Sequence, residues 1–345
     1  MGLVDSASNY DIVKCITQKN LMHSQYGLGS GKVEEIKEFI QQNKPDQIIV
    51  DERMTPKQIY NLENATGVKV VDRERLILNI FSTRATTSEA KLQIQLAEIK
   101  YELPRIRENA KLLIGDERPG KGGSGEYIVD VKFRDLKRRM GFILEKLAEA
   151  RTKRQLYHDQ RTKNKMPTVS LVGYTSSGKT TLFNLLTLEN REISDKLFTT
   201  LSTTTRSFNL TNRKALLIDT VGFISRLPTY MIEAFKSTLD ESIMANIVLL
   251  LIDSSQSAEE IRIKCRSCLQ TLNELKVQKE KVFVILTKCD KYDIRQSTDI
   301  QEIAANLGLP NPIDISAKTG HGIHKLKVLI DRQISRSNLI HKQPV

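Results

Sequence analysis

The sequence predicts an α/β protein in which a small parallel α/β domain and an antiparallel hairpin of long helices precede a phosphate-loop domain. Three observations carry this. Residues 168–181 read as strand, glycine loop and helix. Residues 1–85 alternate short β-branched runs with helical patterns, and residues 86–165 hold two heptad seams around a glycine-rich break.

The 345 residues suffice for two or three domains, each with its own core. The longest apolar runs, such as Ile247 to Ile252, are strand-sized, so no membrane span is expected. Met1 to Tyr10 lacks the basic-then-apolar order of a signal peptide, which predicts a cytoplasmic protein. Four cysteines make no disulfide framework, and Cys265-x-x-Cys268, within a helical pattern and without a second pair, reads as half-buried helix thiols. A net charge of +12 and a pI near 9.4 favour a polyanionic partner.

In residues 1–85, Val13 to Thr17, Gln47 to Asp51 and Val68 to Val71 read as strands, with helices at Val33 to Gln42 and Pro56 to Ala65. Gly27-Leu-Gly-Ser-Gly-Lys32 imitates a phosphate loop, but Tyr26 stands where the first glycine belongs and Val33 where a hydroxyl belongs. It reads as a turn into the following helix.

Residues 86–165 change texture. Leu92, Leu96, Ile99, Leu103 and Ile106 form one seam, and Phe133, Leu136, Met140, Ile143, Leu147 and Ala150 form another. Pro104 should kink the first helix, since it removes a backbone donor. The break at about 115–126 holds five glycines and is longer than the ~2–8 residues an antiparallel turn needs. Between Lys132 and Lys165 stand twelve Lys and Arg against four Asp and Glu, a net of +8. Arg134, Lys137, Arg138, Arg139, Arg151, Lys153 and Arg154 carry much of it, which points to nucleic acid.

Residues 166–336 form the third domain, with 337–345 as a tail. Gly173-Tyr174-Thr175-Ser176-Ser177-Gly178-Lys179-Thr180 follows an apolar strand, and Thr181 continues into a helix. This is G-x-x-x-x-G-K-[ST] in its required setting, a loop whose amides and helix N-terminus cradle phosphate. Lys179 would lie along the β- and γ-phosphates and the Thr180 hydroxyl would hold Mg²⁺. The polar stretch Phe198-Thr199-Thr200-Leu201-Ser202 comes next. An apolar strand then ends in Asp219-Thr220-Val221-Gly222, where Asp219 would serve Mg²⁺ and the Gly222 N–H would sense the γ-phosphate. Thr287-Lys288-Cys289-Asp290 is [NT]-K-x-D. The Asp290 carboxylate can accept both N1–H and N2–H of guanine, donors that adenine lacks. Ser316-Ala317-Lys318 closes the set, with the Ala317 amide placed for guanine O6. Four motifs in this order predict a P-loop GTPase domain that takes GTP, GDP and Mg²⁺. Phe223 occupies the place where Ras-like enzymes carry a water-orienting glutamine, so a slow intrinsic rate is expected.

Gly173-Tyr-Thr-x-x-Gly-Lys-Thr, Leu197-Phe-x-Thr-Leu201, Asp219-Thr-Val-Gly-Phe-Ile224 and Leu227-Pro together resemble the HflX family of translation-associated GTPases. Gly29-Ser-Gly-Lys-Val-Glu-Glu-Ile36, Val71-Asp-Arg-x-Arg-Leu-Ile-Leu78, Glu89-Ala-Lys-Leu-Gln-x-Gln-Leu-Ala97 and Leu103-Pro-Arg-x-Arg107 agree. The resemblance implies a protein that acts on the large ribosomal subunit and its rRNA, and makes Thr200 the switch threonine meeting Mg²⁺ and the γ-phosphate; a monomer is expected. Bacterial members dissociate stressed ribosomes. Ser176 stands where those relatives carry an Asn tied to potassium stimulation, Gly123-Ser-Gly-Glu-Tyr127 replaces Gly-Pro-Gly-Glu-Thr, and the short form is similar to archaeal members. The competing reading is a nucleotide-gated scaffold that binds a protein, its basic hairpin only a solvated coiled coil.

Overall fold

In the computed structural model the described residues are 2–7, 10–19, 23–115, 124–163, 166–190, 198, 203–291, 302, 305 and 312–340. Two units divide the chain, Met1–Thr83 with Lys91–Lys146 and Arg84–Ala90 with Leu147–Val345. Among the described residues no helix is long and apolar enough to cross a membrane.

In the first unit the short helix α1 (Gly2–Ser6) precedes α2 (Ser30–Asn43), β1 (Gln47–Val50), α3 (Pro56–Thr66), β2 (Lys69–Asp72) and α4 (Arg73–Arg84). β1 and β2 pair in parallel, from Gln47 opposite Lys69 to Val50 opposite Asp72. Thr55 and Gln58 form a reciprocal capping box at α3, and Gly67 in the left-handed region ends it. Val33, Val50, Met54, Leu62 and Val70 make the core between these elements. The imitation loop is a turn, as its residues required: Gly29 sits at the N-cap of α2, and the Lys32 amine pairs with Glu35 at 2.7 Å. Two expectations change. Val13 to Thr17 forms no strand; Val13 is exposed and nothing pairs with its backbone as a ladder. Conversely α4 was not visible as a helix, because Leu76, Ile77 and Leu78 run together with Ile80 and Phe81 and the polar Glu74 is buried beside them, which blurs the amphipathic period.

The helices α5 (Ser88–Gly115) and α6 (Ser124–Lys163) are the long pair. Arg107 lies over the Phe133 ring at 4.3 Å and Arg139 is near Glu98, so α5 descends as α6 ascends. In the second unit Glu89 pairs with Arg154 at 2.7 Å, in the same antiparallel sense. The seam positions Leu96, Ile99, Leu136, Ile143 and Leu147 are buried as the heptads demand. Pro104 does not end α5, which continues for eleven residues beyond it. A second buried stripe, Gln93, Ile94, Ala97 and Tyr101, runs beside the seam. It exists because α5 also meets β2. The fully buried Asp72 carboxylate accepts Tyr101 Oη–H at 2.9 Å, Arg105 Nη2–H at 2.8 Å and the Arg75 N–H at 2.9 Å. The Arg105 guanidinium in turn stacks 3.4 Å from the centre of the Tyr101 ring. Residues 116–123 of the glycine-rich tip lie outside the described residues.

The second unit is built on a six-stranded sheet of β3 (Thr168–Gly173), β4 (Thr204–Asn209), β5 (Lys214–Asp219), β6 (Ile247–Asp253), β7 (Val282–Thr287) and β8 (Ile313–Asp314). Its spatial order is β4-β5-β3-β6-β7-β8, with only β4 antiparallel to its neighbour. The parallel strands end together, so their C-terminal loops converge where ligands bind in open α/β sheets. The helices are α7 (Lys179–Thr187), α8 (Thr229–Met244), α9 (Ala258–Glu274) and α10 (Ile323–Ile340). Val169, Leu171, Phe183, Leu249 and Leu326 fill one face of the sheet, and Val172, Val248, Leu250, Cys265 and Cys268 fill the other. α10 runs four residues into the expected tail, to Ile340. Buried Asp331 on this helix accepts from the Asn212 N–H at 3.2 Å and pairs with Arg213 Nε at 2.6 Å, mooring the β4–β5 turn.

The Asp72 cluster yields a prediction for the first unit. Asp72→Ala strands a guanidinium and a phenol and should cost about 3 kcal/mol, the usual penalty for breaking a buried pair. Asp72→Asn, which keeps an acceptor, should cost less. Urea unfolding followed by circular dichroism measures both, and equal stability of parent and Asp72→Ala would remove the cluster from the core.

Candidate nucleotide site

β3 is buried along its length and breaks at Gly173, where φ is 154° and a Cβ would overlap the Leu251 carbonyl oxygen. Only glycine fits there. Gly178, at φ 87°, opens α7, whose first-turn amides face back across the loop without intrahelical acceptors. Lys179 is the first residue of that helix and is 6% exposed. Its Nζ donates to Gly173 O at 3.1 Å and Tyr174 O at 2.8 Å. Burial pulls the amine down to about 8, and the Asp219 carboxylate opposes that pull. Thr180 Oγ1 donates to Asp219 Oδ2 at 3.2 Å, so the two side chains expected at Mg²⁺ already meet.

The Asp219 strand end is held tightly to the loop. Thr220 Oγ1 donates to Leu171 O at 2.7 Å, the Thr175 N–H donates to Phe223 O at 2.8 Å, and the Phe223 N–H donates to Gly173 O at 2.9 Å. At Gly222 a Cβ would come within 2.9 Å of Thr175 Cγ2 and 3.1 Å of Lys179 Nζ. No larger residue could bring the backbone so near the amine. Phe223, considered from sequence as the water-orienting position, is 3% exposed and belongs to the buried cluster that includes Val172, Ile232, Val248 and Ile261. Its side chain belongs to the core, and only its backbone faces the loop.

On the base side, Asp290 Oδ1 accepts Ser316 Oγ–H at 2.6 Å, and this bond holds the exposed Asp290 carboxyl below the usual carboxylate range. The loops after β7 and β8 are tied together, since the Cys289 N–H donates to Ile315 O at 3.3 Å. Ala317 is half-buried and Lys318 exposed on the same turn. Lys288, with φ 61°, pairs its ammonium with Asp253 at 2.7 Å. Buried Thr287 Oγ1 shares its proton between Ser177 O at 2.8 Å and Ile252 O at 3.1 Å, joining the base-side strand to the phosphate loop. Of the polar stretch Phe198 to Ser202 only Phe198 is described, buried and at φ 60°; Thr199, Thr200, Leu201 and Ser202 lie outside the described residues.

These features fit a nucleoside phosphate. The cradle has no room for a Cβ at Gly222, a buried amine faces it, and the buried Thr175 Oγ1 and Ser177 Oγ have no hydrogen-bond partner among the described residues. The Thr180–Asp219 pair offers two hard oxygen donors, the chemistry that Mg²⁺ prefers. Sequence reading did not find Asp253, the Thr287–Ser177 bond or the Tyr174–Ser225 contact described below, because each joins residues 35 to 110 positions apart with no local pattern. Cys265 and Cys268, read as half-buried, are wholly buried on α9, and burial pushes both thiols up to about 12.

Residues 1–82, 84–161 and 168–288 match families described as "GTP-binding GTPase N-terminal", "GTP-binding GTPase Middle Region" and "50S ribosome-binding GTPase". The GTPase HflX of Thermococcus kodakarensis is 39% identical over 331 residues, which cover 94% of this chain and 74% of that protein. This chain belongs to the HflX family of GTPases. The HflX of Methanocaldococcus jannaschii is 40% identical over 328 residues, covering 95% and 81% of the two chains. A crystal structure of a GTP-binding protein from Sulfolobus solfataricus in complex with GDP is 27% identical and covers 97% of this chain and 94% of that one, with a TM-score of 0.51. The HflX assignment spans the α/β domain, the helix pair and the phosphate-loop domain alike.

The bond between the two loops can be tested. Thr287→Val leaves the Ser177 and Ile252 carbonyls without their donor, a loss of about 1–3 kcal/mol. The affinity for GDP should fall about tenfold, while Thr287→Ser should stay within about twofold of the parent. A fluorescent-GDP titration reads both, and unchanged affinity in the valine variant would show that the two loops act independently.

Proposed function

We propose that this HflX-family chain is a GTP-switched, monomeric cytoplasmic factor that docks on the large ribosomal subunit, with hydrolysis controlling how long it stays. The reading extends to ribosome dissociation or rescue under stress. The observation that carries it is the exposed basic face of α6. Lys132, Arg134, Lys137, Arg138, Arg139, Lys146, Arg151 and Lys153 are all solvent-facing, while Arg154 is half-buried and paired with Glu89. Such a face meets a phosphate backbone through released counterions. The family description of residues 168–288 as a 50S ribosome-binding GTPase supports the choice of RNA.

At the nucleotide, Lys179 would bind the β- and γ-phosphates, and Thr180, Asp219 and Thr200 would hold Mg²⁺. The ion, when bound, neutralises charge developing on the β- and γ-phosphate oxygens. Gly222 would present its N–H to the γ-phosphate. Asp290 would accept guanine N1–H and N2–H, kept ionised and aimed by Ser316, while the Ala317 N–H meets O6. Gly173 to Thr181 would surround the phosphates, Phe198 to Ser202 would form the switch, and Thr287 to Asp290 with Ser316 to Lys318 would enclose the base. Since Phe223 turns into the core, no side chain at that position orients water, and a slow intrinsic rate follows. Docking on a partner would then supply the missing order; a trans arginine finger is worth ~10³–10⁵ in comparable enzymes.

Three outcomes are expected. Asp290→Asn should weaken GTP binding sharply and shift preference towards xanthosine nucleotides, and unchanged GTP affinity would take Asp290 out of the base pocket. Lys179→Ala should abolish tight triphosphate binding, so hydrolysis at the parent rate would refute the phosphate assignment. Neutralising three of Arg134, Lys137, Arg138 and Arg139 should weaken sedimentation with large subunits and lower the salt slope by about one unit per lost phosphate contact. A salt slope equal to the parent's would favour a protein partner for α6 instead.

A further inference from the structure

Tyr174 occupies a variable position of the phosphate-loop pattern, yet it makes more connections than any motif requires. Its carbonyl accepts Lys179 Nζ–H at 2.8 Å. Its backbone bridges to Phe223 in parallel. Its phenol oxygen accepts the Ser225 N–H at 3.0 Å and lies 3.1 Å from Ser225 Oγ. One residue therefore touches the phosphate-binding amine with its main chain and the segment after Gly222 with its side chain.

The surroundings hold the ring in that pose. The Lys264 ammonium on α9 lies 5.2 Å from the ring centre and donates to Gln256 Oε1 at 2.6 Å. One turn further along α9, Ser267 Oγ–H donates to Ile224 O at 3.3 Å. Residues 223–225 are thus fixed from two sides, by the phosphate loop and by α9. Gly222 is the residue immediately before this fixed segment, and it lies against Thr175 and the Lys179 amine.

We propose that Tyr174 is a positioning residue for GTP hydrolysis: its phenol latches residues 223–225 to the phosphate loop and so keeps Gly222 beside Lys179, where a γ-phosphate oxygen is met. The inference rests on the GTPase reading of this site. The latch distinguishes GTP from GDP, because only the triphosphate uses the Gly222 backbone. GDP relies on the loop amides and Lys179, which the phenol does not touch. Phe223 adds weight to this, since with its ring in the core the local geometry depends on the backbone that Tyr174 tethers.

Tyr174→Phe keeps the ring, the Lys264 contact and the backbone bridge, and removes only the phenol oxygen. GDP affinity should remain within about twofold. Affinity for a non-hydrolysable GTP analogue should fall about fivefold, in line with two neutral hydrogen bonds lost, and single-turnover hydrolysis at saturating GTP should slow about tenfold. Ser225→Ala, which leaves its N–H on the phenol, should show a smaller effect of the same kind. In the Tyr174→Phe background it should add almost nothing, the non-additivity expected of residues acting through one contact. Equal weakening of GDP and analogue would make Tyr174 a general support of the loop and overturn the proposal. So would an unchanged or faster hydrolysis rate, or full additivity of the two substitutions. Parent protein that neither binds GDP nor hydrolyses GTP would instead overturn the GTPase reading itself, so the two failures are distinguishable.

Discussion

The nucleotide domain depends on a buried cation. Lys179 brings an ammonium into the interior with two backbone carbonyls as its acceptors and the Asp219 carboxylate nearby. An uncompensated charge there would be strongly unfavourable, so those carbonyls must turn inward. Gly173, one of the two acceptors, lies at φ 154°, where a Cβ would overlap the Leu251 carbonyl oxygen, and Gly178 makes the left-handed entry to α7. Gly222 is constrained as well, since a side chain there would displace the same amine. The site is a set of mutual exclusions around one charge.

Much of this was legible in the sequence, and the reason is locality. The phosphate loop, Asp219-x-x-Gly222 and Thr287-x-x-Asp290 each lie at the end of one strand, and the chemistry of each needs residues close together in the chain. The heptad seams of α5 and α6 were legible for the same reason, because a helix repeats its buried face every three or four residues. What was not legible depends on distant partners. α4 carries its apolar residues almost in one run and buries Glu74 beside them, so its period is blurred. Val13 to Thr17 has the composition of a strand but pairs with no strand among the described residues, and β propensity alone does not make a strand. Phe223 was read as the absence of a glutamine, whereas its ring has a positive role in the core with Val172 and Val248. The second stripe on α5 reflects Asp72, which only the fold brings to Tyr101 and Arg105.

The charge of the chain divides along similar lines. Buried ionic groups, Asp72 with Arg105 and Asp331 with Arg213, are paired and hold elements together. The basic side chains of α6 are mostly exposed, and Arg154 shows what a structural arginine looks like on the same helix, half-buried against Glu89. Arginines of the two kinds cannot be told apart from a residue count. Exposure and pairing separate those that stabilise the helix pair from those available to a polyanion.

One further feature ties α10 to the candidate nucleotide site. β4 and β5 form a hairpin whose open end, Thr204 opposite Asp219, lies at the candidate nucleotide site, while its turn is fastened to α10 by Asp331. β5 ends at Asp219, the residue proposed for Mg²⁺, and its other end turns back to β4 at the residues that Asp331 holds. One strand and one buried carboxylate therefore connect α10 to the Asp219 end of the candidate site.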